Sequence, residues 1–141
     1  MDIFEELHKE HEEVAGLIAT IEEKGRDEKT FESLQTGLSA HAKAEEQVFY
    51  KRLEDEEATR DTVLEGYEEH KVVVKVLSDM AKTTDDDEKF AAKLAVLKES
   101  VEHHVEEEEG TLFEEARPLL ADGEPESLRE EFEAAKSKLE G

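Results

Sequence analysis

Six residues stand where side chains of another kind are expected. His11, His41, Glu45, His70, His104 and Glu108 each fall on a stripe otherwise made of Leu, Val, Ile and Phe at spacings of three and four. An imidazole or carboxylate on such a face is buried, and burial without a partner is costly. Six of them must therefore satisfy one another or something they share. Two pairs have the form His-x-x-x-Glu, His41 with Glu45 and His104 with Glu108. A four-residue step puts both side chains on one helix face, about 6 Å apart along the axis and within reach of one site. In so acidic a chain a lone His-x-x-x-Glu arises by chance. Two copies in equivalent phase, with one core His on each of two other helices, call for a shared cause.

Four neutral imidazoles and two carboxylates make a donor set for two first-row transition ions, with the carboxylates bridging. Magnesium and calcium prefer all-oxygen shells, and a closed structural zinc site takes four ligands. Iron fits best, with manganese behind it, and affinity order alone leaves zinc and copper open. The competing explanation is a buried polar network without metal. Coordination satisfies this many ionisable groups in one layer more readily. The chain has no cysteine, which removes thiolate sites, iron–sulfur clusters and cysteine nucleophiles together.

The stripes define the elements that must carry these groups. Phe4, Leu7, His11, Val14, Ile18 and Ile21 predict one amphipathic helix, stopped by Gly25. Phe31, Leu34, Leu38, His41, Glu45 and Val48, widened by Phe49 and Leu53, predict a second over about residues 28 to 57. Val63, Tyr67, His70, Val74, Leu77 and Ala81 predict a third, and the run Thr83-Thr84-Asp85-Asp86-Asp87 after it offers turn and N-cap chemistry. Phe90, Leu94, Leu97, Val101, His104, Glu108 and Thr111, flanked by Leu112, predict a fourth that ends before Pro118. Pro125 suits the first turn of a shorter helix carrying Leu128, Phe132, Ala135 and Leu139. Helices two and four repeat each other, Leu34-Leu38-His41-Glu45 against Leu97-Val101-His104-Glu108, as in a helical hairpin used twice. The expected fold is all-α: one domain over residues 1–141, an antiparallel up-down four-helix bundle over about 1–117, and a short C-terminal helix over about 125–140.

Charge narrows the partners. Lys and Arg number 18 against 41 Asp and Glu, a net charge of −23 over 141 residues. Such a field repels phosphate backbones and anionic membranes. The acidic N-terminus and the short uncharged stretches give no signal peptide or span. The expectation is a soluble, cytoplasmic protein without nucleic-acid or membrane partners; oligomeric state is not legible.

His11, His41-Ala-Lys-Ala-Glu45-Glu46, Glu69-His70, and His104-Val-Glu-Glu-Glu108-Glu109 with Leu112-Phe113 resemble the hemerythrin-like family, the His-His-Glu cation-binding domain, over roughly residues 1 to 120. The resemblance implies an antiparallel four-helix bundle holding a non-haem di-iron centre. In it the two carboxylates bridge the ions with an oxo or hydroxo group, and the ligands are the same six residues. Oxygen-carrying hemerythrins add a second histidine one turn after the helix-three ligand, where this chain has Val74. Two histidines per ion leave a less saturated centre, open to water, O2, peroxide or NO. The functional classes are then a ligand-binding protein for carriage, storage or sensing, an enzyme consuming peroxide or oxygen, and a metal-responsive switch.

Other residues bear on the same chemistry. His8, beside the first stripe, sits in Glu5-x-x-His8, and His103 sits next to His104 with Glu107 four residues on; helix phase argues against both as ligands. Tyr67 reads as a core tyrosine with a satisfied hydroxyl, or else as a phenol near the metals. Glu46, Glu107 and Glu109 adjoin the ligands and are expected to face outward.

Overall fold

The computed structural model describes residues 1–83 and 87–141. The described residues are helical throughout their ordered elements and contain no strand. Helix α1 runs Ile3–Lys24. Asp2 opens it with a capping box to Glu5, and Gly25, at φ 82°, closes it in the left-handed region that favours glycine. Helix α2 begins at Glu28 behind the N-cap Asp27 and runs to Glu45. It then makes a π-helical turn, Glu46–Tyr50, and ends with Lys51–Leu53, a few residues short of the expected end. Helix α3 is Arg60–Lys82. Helix α4 is Asp87–Glu107, followed by a second π-helical turn, Glu108–Leu112, and Phe113–Ala116. A 3-10 turn over Arg117–Leu119 contains Pro118, and α5, Glu124–Glu140, has Pro125 in its first turn. The turn expected over residues 83 to 87 falls largely on 84–86, outside the described residues.

The apolar stripes meet in two clusters. One joins Ile3, Phe4 and Leu7 to Phe49, Leu53, Val63, Leu112, Phe113 and Phe132. The other joins Val14, Ile18 and Ile21 to Leu34, Leu38, Val73, Leu77, Leu94 and Leu97. Helices α1 and α3 enter the first cluster with their N-terminal parts, α2 and α4 with their C-terminal parts. Phe4, Phe49 and Phe113 seal it with edge-to-face contacts at 5.0 to 6.0 Å. On each of these four helices the polar residues fall between the two clusters, so the core is a sandwich with an ionisable layer in the middle.

Each π-helical turn inserts one extra residue, and this moves the stripes. Val48 is only half-buried and Thr111 is exposed, while Phe49 with Tyr50 and Leu112 with Phe113 take the inward positions. In α3 the inward side is Gly66, Val73 and Met80, while Ala81 is exposed. Val74 is 46% exposed, so the position expected next to the site looks outward. Leu139, at the end of α5, is likewise exposed. None of the helices in the described residues is long and apolar enough to cross a membrane.

Candidate metal centre

The structure brings all six residues of the polar layer together. His11 comes from α1, His41 and Glu45 from α2, His70 from α3, and His104 and Glu108 from α4; each is buried. His11, His41, Glu45 and Glu108 each offer one ligand atom within 4.8 Å of the others, and Glu45, His70 and His104 do the same. The two groups share Glu45 and divide the histidines evenly.

Orphaned atoms test whether metal ions suit this arrangement. Among the described residues, His11 Nε2, His41 Nε2, His70 Nε2, Glu108 Oε1 and both oxygens of Glu45 are buried side-chain atoms without a hydrogen-bond partner. His70 Nε2 stands 3.0 Å from Glu45 Oε1 and His11 Nε2 3.1 Å from Glu108 Oε1, near enough for charge attraction, yet neither contact is aligned as a hydrogen bond. Buried polar groups are otherwise nearly always paired. A set of donors aimed at common points and not at one another is the geometry a cation satisfies, and the residues fit one.

The opposite edge of every imidazole is fully engaged. Nδ1 of His11 lies 2.6 Å from Glu109, that of His41 2.8 Å from Glu10, that of His70 2.8 Å from Glu46 and that of His104 2.6 Å from Glu69. With Nδ1–H donating to a carboxylate, each ring in its neutral form presents its Nε2 lone pair to the interior. Glu46 and Glu109 therefore do not face outward as expected. They follow the inward carboxylates Glu45 and Glu108 by one position and turn onto the rim of the layer, where an imidazole of another helix meets them. Glu10 and Glu69 were not singled out for this role, although each directly precedes a core histidine.

Tyr50 is the largest omission of the sequence reading. Its hydroxyl donates to Glu108 Oε2 at 2.8 Å and lies 3.4 Å from His104 Nε2, and its ring stacks on His70 with 5.2 Å between centroids. It stands five residues after Glu45, off any α-helical stripe, and only the π-helical turn carries it inward. Tyr67, the tyrosine expected on the stripe, is half-buried and donates to Glu54 at 2.9 Å, the satisfied-hydroxyl alternative. His8 is exposed and bonds Glu109 at 2.9 Å, and His103 is exposed with Glu69 at 3.5 Å. Both touch the rim acids and neither points into the layer.

Charge explains how the layer behaves without a cation. Burial pulls the His11 and His70 imidazoles down, but the carboxylates of Glu108 and Glu45 outweigh it and push both pKa values up to about 9. Burial opposes protonation of His104 as well, and Glu108, Glu45 and Glu69 raise it to about 12. Burial would raise Glu108, yet His104 and His11 hold it well below the usual carboxylate range. Burial first, then Glu108 and Glu45, keep the Tyr50 phenol protonated far above its ordinary value. Protons thus supply the positive charge that the two buried carboxylates require, and a bound cation would replace them.

Beside the imidazoles lies a cavity of about 20 Å³ bordered by Val14, Leu38, Val73 and Val101. Its walls are aliphatic apart from the rings of the four histidines.

The hemerythrin HHE cation binding domain family matches residues 2–116, and the chain belongs to that family. The match takes in α1 to α4 and ends before α5. A protein of Nostoc sp. named DNA nickase is 30% identical over 143 residues, an alignment that covers 99% of this chain and 40% of the relative. This chain accordingly spans about 40% of that relative's length. No solved structure matches.

Proposed function

We propose that this member of the hemerythrin HHE family is a cytoplasmic non-haem di-iron protein whose centre binds a small ligand of the O2, peroxide or NO kind, within an antiparallel up-down four-helix bundle. The observation that carries the reading is the set of orphaned buried donors in two groups that share Glu45. His11, His41 and Glu108 would hold one ion with Glu45, and His70 with His104 the other. An all-imidazole and carboxylate set suits iron first, with manganese or zinc after it. When bound, the ions supply redox chemistry towards the small ligand.

The chain supplies the rest. Glu10, Glu46, Glu69 and Glu109 fix each imidazole in the orientation that presents Nε2 inward. The cavity beside the imidazoles has room for a molecule about the size of water or O2 and is walled by aliphatic side chains and the four imidazole rings. Tyr50 keeps its proton and holds it at Glu108. A second reading, an enzyme consuming peroxide or oxygen, rests on the same hydroxyl as a hydrogen-bond donor inside the layer; burial and Glu108 hold its proton too firmly for transfer as a general acid.

Nicking of DNA belongs to the name of the Nostoc relative. It is not part of the function proposed here, since a net charge of −23 opposes a phosphate backbone and most of that relative's length lies outside the alignment. Ferrous protein prepared without oxygen, then cycled between oxygen and vacuum, separates the two readings. Absorption bands that come and go through repeated cycles mark reversible binding. Irreversible oxidation with consumption of peroxide marks the enzyme, and a spectrum unchanged by oxygen sinks both.

A further inference from the structure

We propose that Lys136 of α5 is a positioning residue for His41, acting through Glu10, and that α5 thereby makes the two halves of the centre inequivalent. The proposal rests on the di-iron reading above, and α5 lies beyond the residues that the family matches.

The four acids that hold the Nδ1 edges are not alike. The side chains of Glu109, Glu46 and Glu69 are 26%, 21% and 26% exposed. That of Glu10 is 7% exposed. Water can balance the first three, whereas a buried carboxylate needs a cation of its own. Lys136 supplies it, with Nζ 2.7 Å from Glu10 Oε2, while Glu10 Oε1 accepts from His41 Nδ1 at 2.8 Å. One turn earlier on the same face of α5, the fully buried ring of Phe132 meets His41 edge-on at 5.9 Å. Together they press one imidazole into a single orientation from two sides. Glu69, which has the same role for His104, meets the exposed His103 at 3.5 Å in place of a lysine.

The consequence is directional. His41 is covered by Phe132 and Lys136 of α5 through ring contact and through Glu10, whereas His70 borders a groove of about 890 Å³ lined mainly by α2 and α3. The ion of the His70 and His104 half is then the one that exchanges, and the ion held by His41 is the one retained.

The test compares the full-length protein with Lys136→Met, Lys136→Arg and, as a control on the exposed face of α5, Lys138→Met. Cobalt(II) alone is the probe, titrated and then withdrawn with a chelator. Outer partners of metal-bound histidines typically contribute about 10- to 100-fold in affinity. Lys136→Met, one step beyond the direct partner Glu10, is expected to weaken one of the two cobalt equivalents by up to about tenfold and to spare the other, with Lys136→Arg restoring it and Lys138→Met matching the parent. Equal weakening of both equivalents, or of neither, overturns the proposal. A second readout needs no metal: the imidazole nitrogen resonances of His41 in the metal-free protein should shift in Lys136→Met while those of His104 stay. Unmoved His41 resonances would refute the positioning role. A parent protein that takes up no cobalt would instead refute the metal reading, with the His41 resonances still deciding the role of Lys136.

Discussion

Gly66 and Tyr50 occupy one space: a Cβ added to Gly66 would lie 2.5 Å from the Tyr50 hydroxyl oxygen. The glycine is what allows α3 to pass over the phenol, and so what allows the phenol to reach Glu108. Gly66→Ala is expected to force the ring out of its stack on His70 and to destabilise the fold by about 1–3 kcal/mol, the usual cost of overpacking. Chemical denaturation measures this. The cost should largely vanish in a Tyr50→Ala background, because the clash partner is gone; a cost that persists there would mean that Gly66 serves something other than Tyr50.

Stability should fall as pH rises from 6.5 to 9 in the metal-free protein and stay level in the metal-loaded one. In the metal-free protein His11 and His70 titrate at about 9, against 6.5 for an unperturbed imidazole. Between those values the folded chain holds protons that the unfolded chain has lost. The stabilisation is full below pH 6.5 and disappears as pH rises through about 9. Metal must displace the same protons, so its affinity rises over that window. Melting temperatures of the two forms should therefore diverge from pH 6.5 to 9, and a constant gap would show that the imidazoles are not protonated in the metal-free layer.

Helix phase separates two adjacent histidines. The side chain of His104 is 9% exposed with Nε2 turned to Glu45 and Glu108, whereas that of His103 is 66% exposed. His104→Ala is expected to lose about one of two ions per chain, and His103→Ala to lose none. Elemental analysis of both variants reads the difference, and the reverse result would place the centre on the other face of α4.

Val74 stands where oxygen-carrying relatives of the resemblance have a further ligand, but it faces solvent and Val73 borders the histidine cavity. Val74→His should therefore leave metal content and the rate of reaction with oxygen unchanged within twofold, roughly the scatter of a surface substitution. A slower autoxidation in that variant, followed by absorption, would mean that α3 turns to bring residue 74 inward.

Much of this was legible from residue spacing. Helices α1 to α4 and the six polar members of their stripes follow from a 3.6-residue period, because burial of one face leaves that period in the sequence. What the period could not show lies where the helices depart from it. The π-helical turns over 46–50 and 108–112 change the phase by one residue, which hid Tyr50 and placed Val48 and Thr111 on the wrong side. The rim acids were hidden for another reason. Glu10 and Glu69 are acids among 41, and only the meeting of neighbouring helices distinguishes them from a solvated surface. The pairs Glu10-His11 and Glu69-His70 were the available signal, an acid beside a core histidine on alternate helices. Lys136 left no comparable trace, since its partner lies 126 residues away.

One buried layer for two ions fixes a stoichiometry. Its most direct measurement is the iron content of the full-length protein after anaerobic reconstitution with ferrous iron and removal of excess metal. Six ligands in two groups that share Glu45 predict about two iron ions per chain, falling to about one in His104→Ala. One ion or fewer per chain in the unaltered protein would rule out a two-ion layer.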